Sequence, residues 1–208
     1  MSSDSCSLVD LRDRDPGLVV VDAQKAFASE AGSLAVDGVD VSAPVETIPK
    51  LRNLVIEARG AGLPIVFTRS VRRADGRDAP GHNLSFVPAV YRNRGPICIE
   101  GTTDVEYVDG IDPAADEYEV TKLRYDGFNG TKLEARLRTE GVETVVLCGF
   151  MTNGCVEATA RTAYERGFDV VLVEDCAASM SLETHAAAVN NVETLLGVAP
   201  TSDEIRFE

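Results

Sequence analysis

Three side chains that together suit nucleophilic catalysis each follow an apolar, β-branched run of the sequence. Asp22 ends the run VVVD, Lys122 ends the run YEVTK, and Cys155 follows the run VVLCGF after four residues. A thiol attacks carbonyl carbons, a half-buried carboxylate accepts the thiol proton, and an ammonium group stabilises the charges involved. The combination predicts nucleophilic catalysis without histidine. The alternative for Asp22 is an aspartate that only forms a turn, and the alternative for Lys122 is a solvated lysine at a strand end.

The segment around Cys155 predicts the start of a helix. Thr152 or Asn153 is suited to cap a helix whose apolar period begins at Val156. Cys155 then lies in the first turn, where the helix dipole and free N–H groups are expected to lower the pKa of a thiol and to stabilise an oxyanion. The alternative is a small buried thiol that only fills space.

The elements that must position these residues alternate along the chain as short apolar runs and longer helical periods. Strands that are apolar on both faces are typical of a parallel sheet covered by helices on both sides. We therefore predict a three-layer α/β/α, doubly wound, Rossmann-like fold with a mainly parallel six-stranded sheet. Ligands of such folds bind at the carboxyl ends of the strands, where all three candidate residues fall. The predicted strands are 18–21, 63–68, 118–121, 144–148, 169–173 and 202–207, and the predicted helices are 45–61, 130–141, 153–167 and 181–196.

The length of 208 residues predicts a single domain over residues 1–208, with residues 1–16 as a polar N-terminal arm. Residues 69–117 form a long excursion rich in Gly, Pro, Asp and Arg, and such excursions are usually functional or ordered by contacts. The first residues lack the apolar core of a secretory signal, and no apolar run approaches the roughly 18–20 residues of a membrane span. We therefore expect a cytoplasmic protein with no membrane partner.

The charge balance is strongly acidic. Lys and Arg number 20 against 34 Asp and Glu, which gives a net charge of −14, and only four of the basic residues are lysines. Nucleic acids and anionic membranes are poor partners for such a surface. A salt-rich cytoplasm, and hence a halophilic source, explains an acidic surface that is poor in lysine, because salt screens the self-repulsion. A GC-rich genome is the alternative explanation.

The sequence offers little material for a cofactor or a metal. There are two histidines, and the five cysteines include no CxxC pair. Neither GxxxxGK[ST] nor GxGxxG occurs, so the usual phosphate-binding loops are absent as sequence signals. We expect no metal and no cofactor.

Four segments in order resemble the isochorismatase-like cysteine hydrolases. VVVDAQKAF (19–27) resembles the opening D-x-Q-x-x-F of that family, and TRSVRRADGRD (68–78) resembles a segment of its carbamoyl-amidase branch. The segment 122–149 resembles K-x-R-Y/F-x-x-F-x-x-T-x-L. The segment 149–179 resembles G-x-x-T-N-x-C-V-x-x-T-x-x-x-A. The similarity covers most of the chain from about residue 17 onward.

The resemblance implies a catalytic triad of Cys155 as nucleophile, Asp22 as general base and Lys122 as its electrostatic partner. It also implies an oxyanion hole made by the amides of Met151 and Cys155, with a cis peptide bond at Phe150–Met151. For two of the implied pocket residues, Phe27 and Phe128, plain core packing is the alternative. The implied substrate-binding residues are Gln24, Phe27, Arg124, Tyr125, Phe128 and Asn153.

The branch of the family that the chain resembles includes N-carbamoylsarcosine amidase and the ureidoacrylate and biuret hydrolases. This implies an amidohydrolase that cleaves a C–N bond of a small amide, carbamoyl or ureido compound through a covalent thioester-type intermediate. The alternatives are a nicotinamidase-like hydrolase, whose D-x-H metal motif is absent here, and a catalytically silent ligand-binding member of the fold. Arg69, Arg72 and Arg73 either bind a substrate carboxylate or are solvated loop charges.

The resemblance also implies a homo-oligomer, either a dimer or a tetramer. The apolar pieces within residues 84–99 are candidates for its interface.

Overall fold

The computed structural model describes residues 8–75, 77–78 and 95–208. Cys6, His82 and most of the apolar pieces proposed for an oligomer interface lie outside the described residues. Within the described part of the chain, no helix combines the length and the apolar character needed to cross a bilayer. The described strands are Val9–Asp10 (β1), Pro16–Val21 (β2), Ile65–Ser70 (β3), Tyr118–Lys122 (β4), Thr144–Phe150 (β5), Asp169–Ala178 (β6) and Ile205–Arg206 (β7). The described α-helices are Lys25–Ala28 (α1), Ser33–Val36 (α2), Ser42–Gly60 (α3), Leu133–Thr139 (α4), Glu157–Glu165 (α5) and Leu182–Leu195 (α6).

Five strands form one parallel sheet in the order β4-β3-β2-β5-β6. The central strand β2 pairs with β3 through Val21 and Thr68, and with β5 through Val21 and Gly149. The carboxyl ends of β3, β2 and β5 therefore lie side by side. The predicted α/β doubly wound fold is confirmed.

The sixth strand that we predicted at residues 202–207 does not join this sheet. Residues 202–204 form a 3-10 turn, and Thr201 and Glu204 close a capping box around it. Only Ile205 and Arg206 remain extended, and they pair with β1 in a separate two-stranded parallel sheet. The capping box therefore shortens this strand to two residues.

Apolar side chains on both faces of the sheet form two separate cores. Leu51 and Leu54 of α3 pack in the core on one face. Leu133 of α4, Ala160 of α5 and Val192 of α6 pack in the core on the other face. Because the strands between them bury both faces, the domain has three layers.

Helix boundaries differ from the prediction where polar groups near the ends decide them. Helix α3 begins at Ser42, three residues earlier than predicted, and the Asp40 carboxylate accepts a hydrogen bond at 2.9 Å from the Ser42 N–H, which has no partner within the helix. Helix α4 begins at Leu133 rather than at residue 130, where Gly130 has a φ of +70° that a right-handed helix does not allow. Helix α5 begins at Glu157, and a π-helical turn over Thr152–Val156 precedes it.

Part of the predicted excursion between residues 69 and 117 is ordered by contacts. Arg72 and Ile99 form a parallel bridge, and Tyr107 pairs with Gln24 in an antiparallel bridge. The buried carboxylate of Asp104 accepts hydrogen bonds from the N–H groups of Ser33 and Cys98, both at 2.9 Å. These contacts bring residues 97–111 back against the end of the sheet that carries the candidate residues.

Candidate active site

Three strand ends bring the predicted chemical groups together. Asp22 follows the last residue of β2, Lys122 is the last residue of β4, and Cys155 lies in the π-helical turn that follows β5. The lysine reaches across the end of β3, which separates β4 from β2 in the sheet. The rule that ligands bind at the carboxyl ends of parallel strands thus locates all three side chains correctly.

Lys122 connects the other two groups. Its Nζ lies 2.7 Å from Oδ2 of Asp22 and donates to Sγ of Cys155 at 3.2 Å. It also donates to the carbonyl oxygen of Arg124 at 2.9 Å. The ammonium group thus makes an ion pair with Asp22 and two hydrogen bonds, one of them to the sulfur of Cys155. The side chains of Asp22 and Lys122 are fully buried, and Cys155 is 6% exposed.

The two oxygens of the Asp22 carboxylate have different surroundings. The Thr68 hydroxyl donates to Oδ1 at 2.7 Å and accepts from the Asp22 N–H at 3.2 Å, which fixes the carboxylate at the end of β2. Oδ2 is buried beside the Lys122 ammonium group, but no described group donates an aligned hydrogen bond to it. Its lone pairs therefore remain available for the proton of a neighbouring thiol.

Burial first, and then the negative charge of Asp22, raise the pKa of the Cys155 thiol to about 12. The positive charge of Lys122 acts in the opposite direction but does not outweigh them. Burial would lower the pKa of Lys122, yet the charges of Asp22 and Cys155 raise it above its usual value. The expectation of a lowered thiol pKa is therefore wrong for this structure: the resting state is a neutral thiol beside an ion pair.

The turn that carries Cys155 is held tightly against the neighbouring strands. Gly149 has a φ of +113°, and a Cβ atom at this position would lie 2.1 Å from the carbonyl oxygen of Val21. Met151 is also left-handed, with a φ of +64°, and its carbonyl accepts from the N–H groups of Gly154 and Val156 at 2.8 and 3.2 Å. A glycine is thus required where β5 passes closest to β2.

The backbone at Phe150 and Met151 differs from the one that the family resemblance implies. The Phe150–Met151 peptide bond is trans, because none of the described peptide bonds is cis. The Met151 N–H donates to the carbonyl oxygen of Ala178 at 2.9 Å, so it is engaged in the backbone. The expected contribution of Met151 is not supported by this geometry, whereas that of the Cys155 amide stays a prediction.

A cavity of about 200 Å³ opens over Cys155 and Lys122. It is smaller than the roughly 300–1,000 Å³ typical of pockets for drug-sized ligands, and therefore suits a small metabolite. Four of the six predicted substrate-binding residues line it, namely Phe27, Arg124, Tyr125 and Asn153. Other lining residues, which the sequence prediction did not include among the substrate-binding set, are Leu34, Ser70, Arg72, Ile97, Met151, Gly154 and Met180.

The other two predicted substrate-binding residues are structural in this geometry. Gln24 is fully buried. Its side-chain amide accepts from the Ser70 N–H at 2.7 Å and donates to the Ser70 carbonyl at 2.9 Å, so it pairs with the end of β3 as the backbone of a neighbouring strand would. Phe128 is buried in the core that also contains Leu133 and Ala160, with its ring centroid 6.1 Å from that of Phe168. Neither lines the cavity.

Asn153 is positioned by a neighbour outside the cavity lining. The Ser179 hydroxyl donates to the Asn153 side-chain oxygen at 2.8 Å and accepts from the Asn153 N–H at 3.1 Å. Because its oxygen is fixed in this way, the amide N–H₂ group is the part of the side chain that is free to orient toward a ligand. Among the described residues, no group of three or more His, Cys, Asp or Glu side chains is arranged to hold a metal ion.

Comparison with known proteins identifies the class to which this fold and this site belong. The isochorismatase domain family matches residues 16–204, and the chain belongs to that family. Ureidoacrylate amidohydrolase RutB of Methylobacterium radiotolerans is 33% identical over 201 residues, which cover 92% of this chain and 77% of that protein. The chain is thus a hydrolase of the isochorismatase family, similar to enzymes that act on amides.

Solved structures agree with this assignment. A cysteine hydrolase from Pseudomonas syringae pv. phaseolicola is 26% identical with a TM-score of 0.81, covering 98% of this chain and 96% of that one. N-carbamoylsarcosine amidase from Thermoplasma acidophilum is 28% identical with a TM-score of 0.72, covering 92% and 98%. The pyrazinamidase/nicotinamidase of Streptococcus mutans is 26% identical with a TM-score of 0.75, covering 89% and 99%.

Proposed function

We propose that this protein is a cysteine-dependent amidohydrolase that cleaves a C–N bond of a small amide, carbamoyl or ureido compound. The observation that carries the proposal is the position of Lys122 Nζ, 3.2 Å from the Cys155 sulfur and 2.7 Å from the Asp22 carboxylate. The cation thus contacts both the nucleophile and the base, and Cys155 and Lys122 line a cavity sized for a small substrate.

The first half of the reaction forms the covalent intermediate. Oδ2 of Asp22 accepts the Cys155 proton while the sulfur attacks the substrate carbonyl carbon and the carbonyl electron pair moves to oxygen. The tetrahedral intermediate collapses, the C–N bond breaks, and Asp22 returns the proton to the leaving nitrogen as ammonia or an amine departs. A thioester or thiocarbamate on Cys155 remains.

The second half regenerates the enzyme. Asp22 accepts a proton from water, and the resulting hydroxide attacks the carbonyl carbon of the intermediate. The C–S bond breaks, and the sulfur takes the proton back from Asp22 to restore the thiol. Throughout both halves the positive charge of Lys122 stabilises whichever neighbour is anionic, first Asp22 and then the sulfur.

The raised pKa of Cys155 supports a base-assisted attack rather than a preformed thiolate. With a pKa of about 12, the thiol is neutral at pH 7, so proton transfer to Asp22 must accompany attack on the substrate. The proton that Asp22 takes from Cys155 can then pass to the leaving nitrogen, which must be protonated before an amine departs. The same carboxylate therefore serves as base and as acid.

The substrate class is supported by the names of the relatives. Ureidoacrylate amidohydrolase and N-carbamoylsarcosine amidase act, as their names state, on a ureido and a carbamoyl compound. We extend this class to the present chain because Cys155, Lys122 and four of the six candidate substrate-binding residues line one cavity. Nicotinamidases share the fold, and a nicotinamidase-like activity is the competing proposal.

The test is ammonia release from ureidoacrylate, N-carbamoylsarcosine and nicotinamide by the wild-type protein and by Cys155→Ala. We expect release from one of the first two compounds, loss of at least 1,000-fold in the variant, and a covalent adduct on Cys155 in the intact mass after rapid acid quenching. Exclusive hydrolysis of nicotinamide would establish the competing activity. Full activity of Cys155→Ala would overturn the mechanism, and inertness toward all three would favour a silent, ligand-binding member of the fold.

Several properties of the whole protein are also proposals. We propose a single domain, a homo-oligomer of two or four subunits, a cytoplasmic location and adaptation to salt. The family match over residues 16–204 supports one domain, and the net charge of −14 supports adaptation to salt. Light scattering and thermal unfolding in low salt and in molar KCl test the oligomer and the salt response.

A further inference from the structure

Arg72 is a buried arginine held by backbone contacts on both sides. It lies two residues after β3, where its N–H donates to the Cys98 carbonyl and its own carbonyl accepts from the Glu100 N–H, both at 2.8 Å. The side chain is only 5% exposed and lines the same cavity as Cys155. Its position is therefore set by the backbone, independently of any ion pair.

The guanidinium group of Arg72 is poorly satisfied within the described protein. Its Nη1 donates to the Leu123 carbonyl at 3.5 Å, the limit of a hydrogen bond, and its buried Nε has no partner. None of the ion pairs among the described residues includes Arg72, whereas Arg59, Arg69 and Arg161 each pair with a glutamate. This is notable in a chain with a net charge of −14.

Asp104, a buried carboxylate that contacts the same Cys98 backbone as Arg72, is already used by other donors. Asp104 Oδ1 accepts from the Ser33 N–H at 2.9 Å, and Oδ2 accepts from the Ser33 hydroxyl at 2.5 Å and from the Cys98 N–H at 2.9 Å. A buried guanidinium with unused donors is costly unless an anion completes it. An anionic ligand can reach Arg72 through the cavity that this residue lines.

We propose that Arg72 binds a carboxylate of the substrate, so that the enzyme acts on small acids which carry the amide or ureido group at their other end. This inference rests on the proposed function and deepens it. A guanidinium group presents paired N–H donors that match the two oxygens of a carboxylate, which an exposed lysine does not. Arg124, exposed at the same cavity, adds positive charge to the entrance.

The electrostatics of the whole protein agree with a dedicated anion site. A net charge of −14 repels an anionic substrate at long range, so productive binding needs a local cation. Lys122 does not supply it, because its charge is neutralised by Asp22 at 2.7 Å. Arg72 is the buried cation of the cavity that lacks an acidic partner among the described residues.

The experiment compares acids with their neutral methyl esters: ureidoacetate, 3-ureidopropanoate and ureidoacrylate, each against its ester. Binding is measured by calorimetry on Cys155→Ala, which removes turnover, and on Cys155→Ala with Arg72→Met, Arg72→Lys or Arg73→Met. We expect the parent to bind at least one acid 10- to 100-fold more tightly than its ester, and Arg72→Met to abolish that preference without weakening ester binding. Arg72→Lys keeps the charge and recovers part of the preference. Arg73, which is exposed and pairs with Asp75, is the matched control and keeps the full preference.

The outcomes separate this inference from the proposed function. Equal binding of acids and esters, or binding of none of the acids, overturns the carboxylate site even if the wild-type protein releases ammonia from a neutral amide. An Arg72-dependent preference without hydrolysis by the wild-type protein supports the carboxylate site and contradicts the proposed function. In the active protein, Arg72→Met is expected to raise KM for the acid by about the lost binding factor and to change kcat little.

Discussion

The Thr68 hydroxyl donates to Oδ1 of Asp22 at 2.7 Å, and this contact leaves Oδ2 alone to face the Lys122 ammonium group. Thr68 is the partner of Val21 in the register of β2 and β3, so the hydroxyl reaches Asp22 because of strand pairing. The same hydroxyl accepts from the Asp22 N–H at 3.2 Å, where the Asp22 backbone has a φ of +48°. A residue outside the predicted site therefore positions the proposed base.

Replacing Thr68 by valine tests this positioning. Thr68→Val keeps the shape but removes both hydrogen bonds, and we expect kcat to fall about 10- to 100-fold, since a hydrogen bond to a charged group contributes roughly 1.5–3 kcal/mol. KM is expected to change little, because Thr68 does not line the cavity. Steady-state kinetics with a compound that releases ammonia in the assay proposed above measure both. Thr121→Val, an exposed threonine on β4, is the matched control, and an equal loss in both variants would contradict the positioning role.

Removing the charge of Asp22 has opposite effects on the reactivity of Cys155 and on turnover. After burial, Asp22 is the largest cause of the raised pKa of Cys155, whereas Lys122 acts to lower it. In Asp22→Asn the cation remains without its anion, so we expect the thiol pKa to fall by about one to two pH units. Hydrolysis is expected to be lost, because the leaving amine has no proton donor.

The rate of Cys155 alkylation by iodoacetamide, followed by intact mass at fixed pH values from about 7 to 10, measures this shift, because below the thiol pKa of about 12 the rate follows the small thiolate fraction. At each pH the rate should rise in Asp22→Asn. Lys122→Met, which removes the cation, should lower the rate. An unchanged rate in Asp22→Asn would show that the two groups are not coupled as the geometry indicates.

Buried thiols make the stability of the fold depend on alkaline pH. Burial raises the pKa of Cys148 well above the usual value for a thiol. Between the unfolded and the folded pKa, the unfolded chain releases this proton and the folded protein keeps it. The stabilisation is therefore complete below the unfolded pKa, near 9.0, and is lost as the pH rises toward the folded pKa.

We expect Cys148→Ala to reduce the slope of the unfolding free energy against pH above pH 9 by up to about 1.4 kcal/mol per pH unit. Urea unfolding at a series of pH values measures the slope. Val146→Ala, a truncation in the same strand, lowers stability at every pH but leaves the slope unchanged. A slope that is the same in Cys148→Ala and in the wild-type protein would exclude this thiol as a source of the dependence.

The fold class and the meeting of Asp22, Lys122 and Cys155 follow from local patterns in the sequence. Apolar runs predict buried parallel strands, and the carboxyl ends of such strands meet at one edge. The burial of Arg72 does not follow from any local pattern, because it depends on a bridge to Ile99, far along the chain. From its sequence context alone, this arginine is therefore either a carboxylate ligand or a solvated loop charge.

The differences between the expected and the observed contacts of Cys155 and Gln24 have a similar origin. The pKa of Cys155 depends on the distance to a carboxylate more than 130 residues away in sequence, which outweighs the local effect of the helix start. Gln24 lies in a motif next to the proposed base, but its amide is consumed by the backbone of Ser70. The position of a residue in a motif does not show whether its side chain contacts the substrate or only holds the backbone next to the cavity.

The turn that presents Cys155 should tolerate a methyl group at one glycine and not at another. In Gly149→Ala the new Cβ would meet the Val21 carbonyl oxygen at 2.1 Å, and the φ of +113° is unfavourable for alanine. We expect a loss of roughly 3 kcal/mol or more, because β2 and β5 must separate to relieve the contact. In Gly154→Ala the nearest atom is the Met151 Cβ at 3.5 Å, an ordinary contact, and the stability should change by less than about 1 kcal/mol. Thermal and urea unfolding of the two variants measure the difference. Equal stability of the two variants would mean that β2 and β5 lie further apart in solution than this geometry requires. The placement of Asp22 beside Cys155, which depends on that distance, would then be wrong.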